Sequence, residues 1–103
     1  MAKSQPGESV FSFDCDKAAQ LLSAVDNIHR LALMRILMVD EHDVGSLCKQ
    51  VGLSQSAISQ HLKRLRDAKL VDTRRDGQNI HYSTSSVAAF SLIKALDGLS
   101  DMQ

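Results

Sequence analysis

A mainly α-helical domain carrying one β-hairpin, in the order α-α-α-α-β-β-α, is the fold this sequence predicts. Three observations lead there. Apolar residues recur at helical spacing in four successive stretches between residues 14 and 68. The period then drops to two across residues 70–84, around an Asp76-Gly77 pair that favours a tight hairpin. Helical spacing returns after Ser86. At 103 residues the chain is long enough for one compact domain, expected at 14–103 behind a flexible N-terminal arm at 1–13 that holds the only proline.

The first helix begins at Asp14 or Asp16 and runs to about Val25, with Ala18, Leu21, Leu22 and Val25 at helical spacing. Asp16 favours its positive N-terminal end. Asn27 suits the cap of the second helix. Ile28, Leu31, Leu33, Met34, Ile36, Leu37 and Met38 make that helix apolar on more than one face, which places it at the centre of the domain. The run DEHD at 40–43 reads as a solvated connection whose Asp43 caps a short helix at 44–51. Gly52 permits a tight turn or a left-handed cap, and Ser54 caps a helix over 55–68. In that helix Ala57, Ile58, His61, Leu62 and Leu65 form one stripe, while Gln55, Ser56, Ser59, Gln60 and Lys63 face elsewhere. Strands at 70–75 and 78–84 would pair Arg75 with Gln78, Arg74 with Asn79, Thr73 with Ile80, Asp72 with His81, and Val71 with Tyr82. Val71, Thr73, Ile80 and Tyr82 then share the inner face, and Asp72, Arg74, Asn79 and His81 the outer. Ser85 or Ser86 caps a last helix over about 87–100.

Composition narrows the function. Hydrophobic residues reach 44% but aromatics only 4%, so the core is small and gains from sharing an apolar face with a second copy. The last helix is apolar on several faces, which also points to a homodimer. No apolar run of membrane-spanning length and no apolar N-terminal leader is visible. Cys15 and Cys48 form no CxxC pair, so a reducing cytoplasm is the expected setting. Twelve basic and twelve acidic residues cancel over the whole chain, but not locally. Residues 49–83 carry seven basic against three acidic side chains, a net +4, while 1–48 carry −3 and 84–103 carry −1. Binding phosphate requires a local basic face, and this segment offers one.

A short helix, a glycine turn and a polar-faced second helix are the parts of a helix-turn-helix. Gln55, Ser56, Ser59 and Gln60 are short neutral donor–acceptors of the kind that read base edges in the major groove. Ser54, Lys63, Arg64 and Arg66 lie where phosphates are expected. The hairpin would act as a wing, with Arg74, Arg75, Gln78 and Asn79 on the DNA backbone or minor groove. No nucleophile–base–acid arrangement or glycine-rich phosphate loop is visible, so no enzyme is expected. The competing readings are a winged helix that docks another protein, and an anti-silencer that displaces another DNA-binding protein through the same contacts.

The stretch LSQSAISQHLKRLRDAKLVDTRRDGQNIHYS (53–83) strongly resembles the ArsR/SmtB family of winged-helix repressors, and NIHRLALMRIL (27–37) resembles that family's second helix. The likeness spans roughly residues 16–100. In its SQSAISQHL run the chain resembles the subgroup containing the rhizobial nodulation repressor and the vibrio haemolysin activator. The resemblance implies a homodimer through the first and last helices, with Leu21, Leu22 and Val25 meeting Val87, Phe90, Ile93, Leu96 and Leu99, on an inverted-repeat operator in double-stranded DNA. Ile28 stands where the family usually has proline. The family's metal-binding cysteines would fall at Asp43 and Gly45, and residues 87–103 contain no histidine, so no metal or other cofactor is expected. Where persulfide-sensing relatives place a cysteine in the second helix, this chain has Arg35. Cys48 is expected to be a buried inert thiol and Cys15, near a helix start, an exposed redox candidate. His61 reads as a packing residue and His81 as a surface partner of Asp72. The effector, if one exists, is not legible.

Overall fold

The computed structural model describes residues 14–99; the arm expected at 1–13 and the last four residues lie outside them. The elements are α1 (Cys15–Val25), α2 (Ile28–Val39), β1 (His42–Asp43), α3 (Val44–Val51), α4 (Gln55–Asp67), β2 (Asp72–Asp76), β3 (Asn79–Ser83) and α5 (Val87–Asp97). Each helix starts on a side-chain cap. Asp14 accepts from the Asp16 and Lys17 amides, Asn27 from His29 and Arg30, Asp43 from Ser46, Ser54 from Ala57, and Ser86 from Ala89. Of the paired alternatives raised by the sequence, Asp14 and Ser86 are therefore the caps in use. Such caps satisfy amides that the helix itself leaves without a partner.

The apolar residues of α2 explain its place. Leu33, Met34 and Leu37 are buried, and the helix packs against α1, α3, α4, α5 and β3. Around it gather Ala24 and Val25 of α1, Leu47 of α3, Ile58, Leu62 and Leu65 of α4, Ala89 and Ile93 of α5, and Leu70, Val71 and Tyr82 at the base of the hairpin. Ile28, at the first helical position, is 75% exposed, so the core loses nothing where the family usually has proline.

The end of α4 sets the direction in which the hairpin leaves the core. Lys69 adopts φ +61°, a left-handed conformation that costs a residue with a Cβ. The Leu70 amide donates to the Leu65 carbonyl at 2.9 Å and the Lys69 amide to the Arg66 carbonyl at 2.8 Å. This is a Schellman closure with lysine in the position glycine usually holds, sealed by the contact side chains Leu65 and Leu70, both buried.

The hairpin differs from expectation in its register and in its burial. Its two-residue loop is Gly77-Gln78, not Asp76-Gly77. The observed pairs are Asp76 with Asn79, Arg75 with Ile80, Arg74 with His81, Thr73 with Tyr82, and Asp72 with Ser83. Gly77 takes φ +64° at the first loop position and Gln78 does not share a positive φ, the sign pattern of a type II′ turn. Moving the loop by one residue shifts each partner by two, so the two faces keep their members. His81 consequently stands opposite Arg74 rather than Asp72. The strands are also less buried than an inner and outer face imply: all of β2 is exposed, and only Tyr82 of β3 is buried.

A further difference is a third strand. His42 and Asp43, expected in a solvated connection, pair antiparallel with Tyr82 and His81, so the sheet order is β1-β3-β2. Two residues are too few for any alternation to show in sequence.

Candidate nucleic-acid interface

The interface is assembled by α3, the turn at Gly52, α4 and the hairpin. Leu47 buries α3 against the core. Gly52, at φ +79° and ψ +31°, ends α3 in the left-handed region while its amide donates to the Cys48 carbonyl at 2.8 Å. After Leu53 the chain enters α4 on the Ser54 cap. Ile58, Leu62 and Leu65 press one side of α4 into the core at 1% exposure or less, and Gln55, Ser56, Ser59 and Gln60 all remain exposed on the other. The division expected from sequence is thus the one observed.

Behind α4 sits a polar brace that sequence reading did not assemble. Arg30 donates from Nε to the Ala24 carbonyl at 2.6 Å, and its terminal nitrogen lies 3.5 Å from His61 Nδ1. The His29 and His61 rings are tilted with centroids 5.7 Å apart. His61 is half-buried between them, and burial first, then the Arg30 charge and His29, holds its pKa below the ordinary histidine value.

The phosphate set divides. Lys63 and Arg66 are exposed on α4, Lys63 paired with Asp67 one turn on at 2.9 Å, and that hydrogen bond holds the Asp67 carboxyl below its usual range. Arg75, Gln78 and Asn79 are exposed at the outer part of the hairpin. Three of the expected backbone contacts are engaged elsewhere. Ser54 Oγ is committed to its cap. Arg64, one position past Lys63, turns toward α1 and donates to Ser23 Oγ at 3.0 Å. Arg74 donates to both carboxylate oxygens of Glu41, from Nε at 3.3 Å and from Nη2. Glu41 and Ser23 were missed, because partners 33 and 41 residues away leave no local pattern.

The residues expected at a dimer interface also divide. Val25 and Ile93 are 4% and 3% exposed within the single chain, because their positions turn into its own core. Leu22, Val87, Phe90 and Leu99 are exposed, at 53%, 79%, 49% and 53%. Leu21 and Leu96 are half-buried, and a shallow apolar groove lined by Leu22, Leu31, Leu92 and Leu96 runs between α1, α2 and α5. Both cysteines are half-buried thiols, Cys48 less enclosed and Cys15 less open than the sequence suggested. Arg35 pairs with Asp97 of α5 at 3.4 Å. Among the described residues no three or more His, Cys, Asp or Glu side chains converge on a metal position, and no helix is long and apolar enough to cross a membrane.

A helix–turn–helix whose second helix shows a polar face beside a β-hairpin defines a winged helix-turn-helix protein, a class that binds DNA. A model of the arsR family of bacterial regulatory proteins matches residues 29–73. The chain is 51% identical over 86 residues to the nodulation protein NolR of Rhizobium meliloti, covering 84% of this chain and 70% of that protein. It is 42% identical over 83 residues to the transcriptional activator HlyU of Vibrio cholerae, covering 81% and 77%. The crystal structure of NolR from Sinorhizobium fredii matches with a TM-score of 0.78 at 48% identity, over 82% of this chain and 84% of that one. This chain belongs to the ArsR family and is a winged-helix DNA-binding transcriptional regulator.

Proposed function

We propose that the protein is a homodimeric repressor that binds an inverted-repeat operator in double-stranded DNA, in the cytoplasm at the nucleoid. The observation that carries this reading is the face of α4 on which Gln55, Ser56, Ser59 and Gln60 stand together, exposed and neutral, with no core role. Their amides and hydroxyls read base edges. Lys63, Arg66, Arg75, Gln78 and Asn79 hold phosphates or the minor groove to either side. A second copy joins through Leu22, Val87, Phe90 and Leu99, doubling each contact and setting half-site centres about 34 Å apart. Such a dimer represses by occupying the DNA that polymerase requires.

Selection of binding sites from random duplexes tests the reading directly. A recovered inverted repeat with a spacing near one helical turn is the expected result, and recovery of no enriched sequence would sink it. On the selected site, Gln60→Ala should cost roughly 1–3 kcal/mol per half-site at one base position and leave binding to scrambled DNA nearly intact. Equal loss on both DNAs would remove α4 from the base-reading role.

A further inference from the structure

The two neighbouring wing arginines do different work. Successive residues of a strand point to opposite faces, so Arg74 and Arg75 cannot both face the same phosphates. Asp43, His81 and Arg74 stand in one cross-strand row on one face of the sheet. Glu41, just before β1, receives both hydrogen bonds from the Arg74 guanidinium. Asp72 shares that face and accepts from Ser85 Oγ at 3.0 Å. The face therefore gathers Glu41, Asp43 and Asp72 around a single arginine, a balance that repels phosphate. Arg75 lies on the other face, opposite Ile80. Ile80 and Tyr82 of that face line a groove with Gln55, the first residue of α4, which Asp43 and Asn79 of the Arg74 face also border. Arg75 is exposed there and takes no part in the ion pairs found among the described residues.

We propose that Arg74 is the positioning residue of the wing: through Glu41 it latches the sheet to the connection after α2 and so aims Arg75 at the DNA backbone. This rests on the reading of the hairpin as a DNA-contacting wing. The two-point geometry suits the part, since a guanidinium fork held by both oxygens of one carboxylate has a fixed orientation. The hydrogen bond between them also holds Glu41 below the usual carboxylate range and raises Arg74, so the latch stays charged on both sides at neutral pH.

Salt dependence separates positioning from phosphate contact, because only a group that displaces counterions changes the slope of log affinity against log salt. Binding of the selected operator is titrated across a salt series for Arg74→Gln, Arg75→Gln and the exchange Glu41→Arg with Arg74→Glu. Arg75→Gln should reduce the slope by about 0.9 for each copy bound. Arg74→Gln should weaken binding roughly two- to fivefold per wing at one salt with the slope unchanged, as expected for loss of an exposed ion pair. The exchange should restore affinity to within about twofold of the starting protein, since it rebuilds the pair with its ends reversed. A fall in slope for Arg74→Gln equal to that for Arg75→Gln overturns the assignment while leaving the wing on the DNA. An exchange variant no better than Arg74→Gln also overturns it. No effect from any of the three removes the wing from the DNA and takes the assignment with it.

Discussion

Lys69 spends conformational energy that glycine would not. At φ +61° its Cβ crowds the following carbonyl, a penalty of about 1–2 kcal/mol that is partly offset by the stiffer unfolded chain lysine gives. Lys69→Gly should therefore raise stability by up to about 1 kcal/mol, and Lys69→Val should lower it; urea midpoints at constant slope decide. His61 permits a second test at the same scale. Its folded pKa is held below the unfolded value by burial, Arg30 and His29. The unfolded chain thus takes up a proton first as pH falls, so the contribution is fully present above about pH 6.5 and fades as pH drops through the folded value. His61→Gln should flatten the fall in unfolding free energy on acidification from neutral pH. An unchanged profile would remove His61 from the acid response.

At the scale of elements, the outer part of the hairpin can be lost without losing the domain. All of β2 is exposed, and the loop depends on Gly77 at φ +64°. Gly77→Val should disorder the wing tip and weaken DNA binding. Global stability should change by less than about 1 kcal/mol, since little apolar surface is buried there. Amide exchange at residues 79–81, read against the core amides of α2, measures the difference. The helices were legible in sequence because each begins with a Ser, Asn or Asp cap and carries an apolar stripe long enough to show its period. The hairpin register was not. Asp76-Gly77 and Gly77-Gln78 both offer a glycine turn, and alternation is blind to a shift that moves every partner by two. β1 escaped because two residues have no period. The exposed polar face of α4 was legible, being local to one helix, whereas the partners that divert Arg64 and Arg74 come from α1 and from the connection after α2.

The whole molecule leaves four large apolar side chains of α1 and the α5 region exposed, Leu22, Val87, Phe90 and Leu99. Scattered apolar residues on a surface require no explanation, but Leu22 lines the apolar groove between α1, α2 and α5, and Val87 and Phe90 line a second one with Met38. Phe90→Asp together with Leu22→Asp should give a folded monomer by light scattering, with helical circular dichroism retained. Its operator affinity should fall toward the value for a single half-site. A dimer of unchanged mass would move the interface elsewhere. Val25 and Ile93 are already taken into the single chain's core, a division between core and surface that helical spacing alone does not resolve.

The closure of α4 joins the base-reading helix to the wing with no slack. Leu65 before the bend and Leu70 after it are both in the core, and Thr84 at the far end of the hairpin donates to the Leu70 carbonyl at 2.6 Å. On the DNA reading proposed above, the joint acts as a caliper, with α4 as the jaw in the groove, the hairpin as the jaw on the neighbouring phosphates, and the opening between them set by the fold. On that reading, duplexes whose groove width departs from the opening must deform to be gripped, and affinity should vary with sequence at base pairs the protein does not touch.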